Sequence, residues 1–206
     1  ALTNEILQLR QDQIDLSHLS GIIFDRKRTE QNFKRINEAL LGLGPSFEEN
    51  VNLLTRLCGE LTGAVCSLYN RIDGSKLCAI GQWNAPEGFC SVDEAEGHIC
   101  NDVIRKGSKQ VIFLDNLPET NYFKTDPNVS AYSLRSYIGK AVACEGVIVG
   151  SLCVVYQDEI NYTLEHEQIF TIIASAIGNE ESRNDAQKKL RESEERFHSA
   201  FLTSPD

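Results

Sequence analysis

Long apolar runs are missing from this 206-residue sequence. No window approaches the roughly 18 uninterrupted apolar residues that a membrane-spanning helix needs. The opening segment ALTNEILQLR also lacks the basic-then-apolar order of a signal peptide. Basic residues are outnumbered, 20 Lys and Arg against 30 Asp and Glu, giving a formal charge of −10. That balance repels phosphate backbones and anionic lipid headgroups, so neither nucleic acid nor a direct membrane contact is expected as a partner. A disulfide framework is missing as well. The seven cysteines are an odd number, none forms a C-x-x-C pair, and most lie in apolar runs such as AVCSLY and GSLCVVY. This usage fits buried, reduced thiols of a cytoplasmic protein, with any membrane anchor of a parent protein outside these residues. There is no methionine, an absence that carries no inference. The sequence shows no nucleophile triad, no Gly-rich phosphate loop and no kinase phosphoacceptor box. His166 and His198 therefore read as surface residues, and no enzymatic activity is expected of this stretch.

What is present suffices for a core, since 41% of the residues are hydrophobic. Leu2, Leu9, Leu16 and Ile23 recur every seven residues, the seam of a helix packed against another helix, which points to a homodimer. Phe33, Ile36, Leu40 and Leu43 resume a helical stripe that Gly44-Pro45 stops. Ser46 and Glu49 form a capping box for the next helix, whose Phe47, Val51, Leu54, Cys58 and Leu61 share one face. From residue 64 the period becomes that of strands: AVCSLYNRI, a turn at Asp73-Gly74, then KLCAIGQW. Residues 84–97 read as a polar loop, 98–106 as a short helix closed by Gly107, and QVIFLDN as a third strand. Residues 117–134 form a long irregular segment with room for a helical turn, and such loops usually carry function. RSYIGKAVAC and VIVGSLCVVYQD, joined at Glu145-Gly146, are apolar enough for a sheet centre covered on both faces. Thr163 caps a final helix that packs through Ile169, Ile173, Ala176 and Ile177 before becoming a charged rod. The expected divisions are a signalling helix over 1–44, a sensory domain over 45–180, and a linker helix over 181–206.

This order of elements, together with LRSYIGKAVACEGVIVGSLCVVYQDEINYTLEHEQIFTIIASAIGNE, resembles a GAF domain over roughly residues 35–182. The tail LRESEERFHSAFLTSPD is similar to the entry helix of a PAS domain. The resemblance implies an α+β fold with a five- or six-stranded antiparallel sheet. Terminal helices would lie on one face and a small-molecule pocket on the other. It also implies the input half of a bacterial sensor histidine kinase or cyclic-dinucleotide enzyme, with a PAS and output domain downstream. Fold alone does not fix the ligand.

Covalent bilin attachment, as in phytochrome-like members, needs a cysteine after the long loop, and SAYSLRSY has none. The Asn-Lys-Phe-Asp-Glu constellation of cyclic-nucleotide binders cannot be assembled either. Cys90, His98 and Cys100 match no standard metal spacing, so neither metal nor haem is expected, and the cofactor stays unknown. Candidate ligand contacts are Asp115, at the mouth of the long loop, and Trp83, Tyr122 and Tyr132, each with a core or turn role as the alternative. His98 and Ser136 complete the set. Ser136 and Tyr137 are strand neighbours, so only one of them can face a pocket. Among the thiols, Cys144 and Cys153 are the candidates for redox chemistry, against inert packing as the alternative reading. The expected function is a small-molecule-responsive sensory module, the alternatives being a structural dimerisation spacer or a thiol redox sensor.

Overall fold

The computed structural model describes residues 26–203. The seven-residue seam of Leu2, Leu9, Leu16 and Ile23 lies outside them. The chain divides into two units between Gly42 and Leu43. In the first, helix α1 spans 26–41, and the Gly42 amide closes it on the Glu38 and Ala39 carbonyls. The helix thus stops ahead of the Gly44-Pro45 pair expected to end it.

The second unit is built on one six-stranded sheet. Its strands are β1 (Cys66–Asp73), β2 (Lys76–Trp83), β3 (Val92–Glu94), β4 (Ile112–Leu114), β5 (Ser136–Cys144) and β6 (Val147–Tyr156), in the order β3-β2-β1-β6-β5-β4. All paired neighbours are antiparallel. The first hairpin turns at Gly74 and Ser75, because Asp73 pairs with Lys76, one residue later than the Asp-Gly signal suggests. The second turns at Glu145 and Gly146, both at positive φ, as a two-residue antiparallel turn requires. Strand β3 sits inside the segment read as loop, and its alternation over three residues is too short to register in sequence.

Two helices cover one face of the sheet: α2 (Phe47–Thr62) and α6 (Leu164–Thr203). Ser46 caps α2 by accepting the Glu49 amide at 3.3 Å, and Gly63 ends it in the left-handed conformation. The Thr163 hydroxyl lies 2.8 Å from His166 Nδ1 at the start of α6. The cap read at Thr163 therefore works with His166, which is tied to the helix start. Helix α6 docks through a buried polar seam as well as through isoleucines. Glu181, 1% exposed, accepts the Tyr69 hydroxyl of β1 at 2.6 Å and lies 3.4 Å from Arg71. Glu180 accepts Asn50 of α2 at 2.7 Å and pairs with Arg183. The other face carries α3 (Ile99–Lys106), α4 (Tyr122–Thr125) and α5 (Pro127–Ala131). The long irregular segment thus holds three helical pieces, counting the 3₁₀ turn Leu117–Glu119.

At Gly178 the α6 backbone approaches β5 so closely that a Cβ would stand 2.2 Å from the Ala143 carbonyl oxygen. Helix propensity alone favours Gly178→Ala by about 1 kcal/mol. The clash is with backbone, which cannot rotate away, so a net loss of about 1–3 kcal/mol is expected. A lowered urea midpoint for Gly178→Ala checks this, and an unchanged or raised midpoint contradicts the close approach.

Candidate ligand site

The face opposite α2 and α6 encloses a cavity of about 320 Å³. Strand alternation decides its floor: Cys66, Leu68 and Asn70 of β1 point into it, while Ser67, Tyr69 and Arg71 point away. Tyr137 of β5 and Cys153 and Val155 of β6 complete the floor. Tyr137 lies along its own strand, and a Cβ on Gly139 would meet its hydroxyl at 2.2 Å. Glycine at 139 is therefore what lets the ring lie flat there. The walls come from Phe89 of the loop after β2, from Asp93 of β3, from His98, Ile99 and Cys100 at the start of α3, and from Asp126, Tyr132 and Leu134.

Two polar clusters face the cavity. In the first, His98 is sandwiched between carboxylates, its Nδ1 3.2 Å from Asp126 and its Nε2 3.4 Å from Asp93. His98 is the N-cap residue of α3 but makes no capping bond of its own. Asp126 supplies it, accepting the Ile99 amide at 3.1 Å, and it also accepts the Asn128 amide at the start of α5. One buried carboxylate thus joins two helix starts, where the helix dipole favours negative charge. The hydrogen bond that His98 donates to Asp126 holds its pKa above the usual histidine range, against the opposing effect of burial.

The second cluster is sulfur-centred. Cys100 and Cys153 Sγ atoms are 3.4 Å apart. Asn70 Nδ2 reaches Cys100 at 3.4 Å and Cys153 at 3.7 Å, and the Tyr137 hydroxyl lies 3.5 Å from Cys100. Hydrogen bonding from Cys153, then from Tyr137, draws the Cys100 thiol below its ordinary range despite burial, while Cys153 is pushed well above it.

Of the ligand and redox candidates named in sequence, His98, Tyr132 and Cys153 line the cavity, while Trp83, Asp115, Tyr122, Ser136 and Cys144 do not. Trp83 lies on the helix side, its ring against the Gly59 position of α2. Tyr122 donates its hydroxyl to Asp102 of α3 at 2.8 Å, outside the cavity. Ser136 faces away from Tyr137 and donates to Asp115 at 3.1 Å, so these two close the end of β5 on each other. The strand-parity question is thereby settled in favour of Tyr137. Cys144 and Cys153 are not neighbours: Cys153 pairs in register with Gly139, five residues along β5 from Cys144, or about 16 Å. The sulfur beside Cys153 belongs to Cys100, on a helix. Asn70 and Asp126 were missed by sequence reasoning, and Tyr137 was named there only as the alternative to Ser136. The Asp126-Pro127 step carries the signal of an N-cap followed by an N1 proline, and Asn70 is the polar residue at the alternate positions Cys66, Leu68, Asn70 and Ile72 of β1. Among the described residues no group of three or more His, Cys, Asp or Glu side chains is arranged to hold a metal.

The profile of the GAF domain family matches residues 46–180. The chain belongs to the GAF family. Among solved structures, it is similar to the GAF domain of a phosphoenolpyruvate-protein phosphotransferase from Coxiella burnetii, at 14% identity and TM-score 0.66, covering 79% of this chain and 98% of that one. It is similar to free methionine-R-sulfoxide reductase from Neisseria meningitidis in complex with its substrate, at 12% identity and TM-score 0.62, covering 76% and 91%. It is also similar to the phycoerythrobilin-bound GAF domain of a cyanobacterial phytochrome, at 10% identity and TM-score 0.60, covering 79% and 99%. No curated protein sequence matches significantly. Identities this low establish the shared fold, and with it the six-stranded α+β architecture, while the contents of the pocket differ among such relatives.

The His98 pair gives a pH signature. Because its folded pKa is raised, its contribution to stability is complete below the unfolded value of about 6.5 and is lost as pH rises through the folded value. Thermal unfolding of the wild type should therefore lose stability above pH 6.5 relative to His98→Gln. Parallel pH profiles for the two proteins would remove the pair from the account.

Proposed function

We propose that this GAF domain is the small-molecule-responsive input module of a larger signal-transduction protein, either a sensor histidine kinase or a cyclic-dinucleotide enzyme. In this reading it acts as a homodimer through its terminal helices and passes its signal along α6 to a downstream PAS-like and output region. The observation that carries the reading is the placement of the cavity on the sheet face opposite α6, with a single step of β1 touching both. Asn70 faces the cavity and its sulfur cluster, while Tyr69, the adjacent residue, holds Glu181 of α6. A ligand that orders Asn70 differently in two states acts on the same strand that registers the helix. The charge of the lining favours a class of ligand: among the described residues it contains Asp93 and Asp126 but no Lys or Arg. The His98 imidazolium is already paired to both of these carboxylates, so a phosphate or free carboxylate would be desolvated there against net negative charge, and the ligand is neutral or cationic, with an apolar body and N–H groups for the carboxylates. The rival reading, a dimerisation spacer, predicts a cavity without a resident molecule.

Native mass spectrometry of the purified protein, followed by thermal-shift screening of neutral and cationic compounds, tests this. At a hundredfold excess over Kd a bound compound stabilises by about 2.7 kcal/mol, or a Tm rise of about 5–10 °C for a domain this size. Ala79→Phe, which fills the cavity from β2, should abolish that rise and leave the fold intact. A protein whose mass is always that of the bare chain and whose Tm no compound moves would favour the spacer.

A further inference from the structure

The sulfur cluster lies in the floor of the cavity, and its geometry asks for more than packing. Cys100 and Cys153 come from different elements, the first turn of α3 and the middle of a central strand, 53 residues apart in sequence, with their sulfurs in contact at 3.4 Å. Inert core cysteines have no reason to be aimed at each other and ringed by hydrogen-bond donors. Here both sulfurs receive Asn70 Nδ2, and the Tyr137 hydroxyl adds to Cys100. The pair is also reachable, since both residues line the cavity, and peroxide is no larger than a water pair. We propose that Cys100 and Cys153 form a reversible dithiol–disulfide switch, oxidised by a hydroperoxide that enters through the ligand cavity and reset by a small thiol. This goes beyond small-molecule binding and does not depend on it.

The two thiols have distinct roles. Hydrogen bonds from Cys153 and Tyr137 favour the Cys100 thiolate, which makes it the nucleophile. Its sulfur attacks one peroxide oxygen: an S–O bond forms, the O–O bond breaks, and the departing hydroxide takes a proton to leave as water. The Cys153 sulfur then attacks the Cys100 sulfenic acid. The S–S bond forms, the S–O bond breaks, and the second hydroxide leaves as water with the Cys153 proton. Two thiols are oxidised by two electrons, and one peroxide is reduced to two waters. The sulfurs must close from 3.4 Å to about 2.05 Å, a displacement within reach of side-chain rotation. Other thiols are poorer candidates. Cys58 is fully enclosed and burial pushes its thiol far up, while Cys66 lines the cavity but is raised to about 11, chiefly by burial. Closing the bond would fix the first turn of α3 to β6 and withdraw both sulfurs from Asn70, so oxidation and ligand would act on the same residue of β1.

The wild-type chain itself is the test. After treatment with a few equivalents of hydrogen peroxide and alkylation of the remaining thiols, digestion with trypsin and a glutamate-specific protease isolates Cys100 in residues 97–105 and Cys153 in residues 146–159. A cross-linked 97–105/146–159 pair, lost on reduction by dithiothreitol, is the expected product, with two fewer alkylated cysteines in the intact protein. In folded Cys153→Ser the Cys100 sulfenic acid should persist and be captured by dimedone, whereas Cys100→Ser should yield no cross-link. Oxidation confined to Cys90 or another thiol, a cross-link joining different cysteines, or no cross-link under peroxide excess would each overturn the proposal.

Discussion

Glu181 places a carboxyl group beneath the sheet with 1% of its surface exposed, and the arrangement of the second unit depends on how that group is satisfied. A buried charge or carboxyl without partners costs several kcal/mol. The Tyr69 hydroxyl and the Arg71 guanidinium remove that cost at one position of α6 relative to β1. Sliding the helix by a turn would leave the carboxyl unpartnered. Glu180 repeats the constraint toward α2 through Asn50, and Arg183 extends it to the Gly44 carbonyl. The isoleucines of α6 supply burial, which is non-directional. The two glutamates supply register.

The consequence is an unequal sheet. On the α6 side, apolar side chains and satisfied carboxyls leave no room, as the approach of Gly178 to Ala143 demonstrates. On the other side the covering is thin, a short helix and a segment of one-turn pieces whose starts are joined by Asp126. Such a wall cannot interdigitate with the sheet as a long helix does, and a cavity lined by apolar carbons, two carboxylates and two adjacent thiols remains. Rigid on one face and hollow on the other, the sheet is suited to sensing. Low-stability elements around a pocket respond to what enters it, while α6 is held in register on the opposite face.

Much of this was legible in the residues. The change from helical to alternating period at residue 64, the two hairpins, the α3 span and its Gly107 stop, and the amphipathic α2 all follow from local rules of pattern and capping. The site was less legible. His98 and Tyr132, chosen as polar and aromatic residues near a long loop, do line the cavity. Asp115 and Ser136 were chosen on the same grounds, yet they satisfy each other at 3.1 Å. Trp83 lies on the helix side because strand parity places it there. Local pattern says that neighbours on a strand face opposite ways, but not which way is inward.

The sequence by itself determined the class of fold, the order of its elements, the net acidic charge, and the presence of seven thiols without a disulfide pattern. Those properties rest on periodicity, capping and composition, which act over a few residues or over the whole chain at once. Only the tertiary structure decided which face of the sheet is hollow, that Asp126 rather than Asp115 reaches the cavity, and that Cys153 meets Cys100 rather than Cys144. Each of these is a contact between residues distant in sequence. Such contacts are fixed by how strands pair and helices dock, through hydrogen bonds that no short window of residues contains.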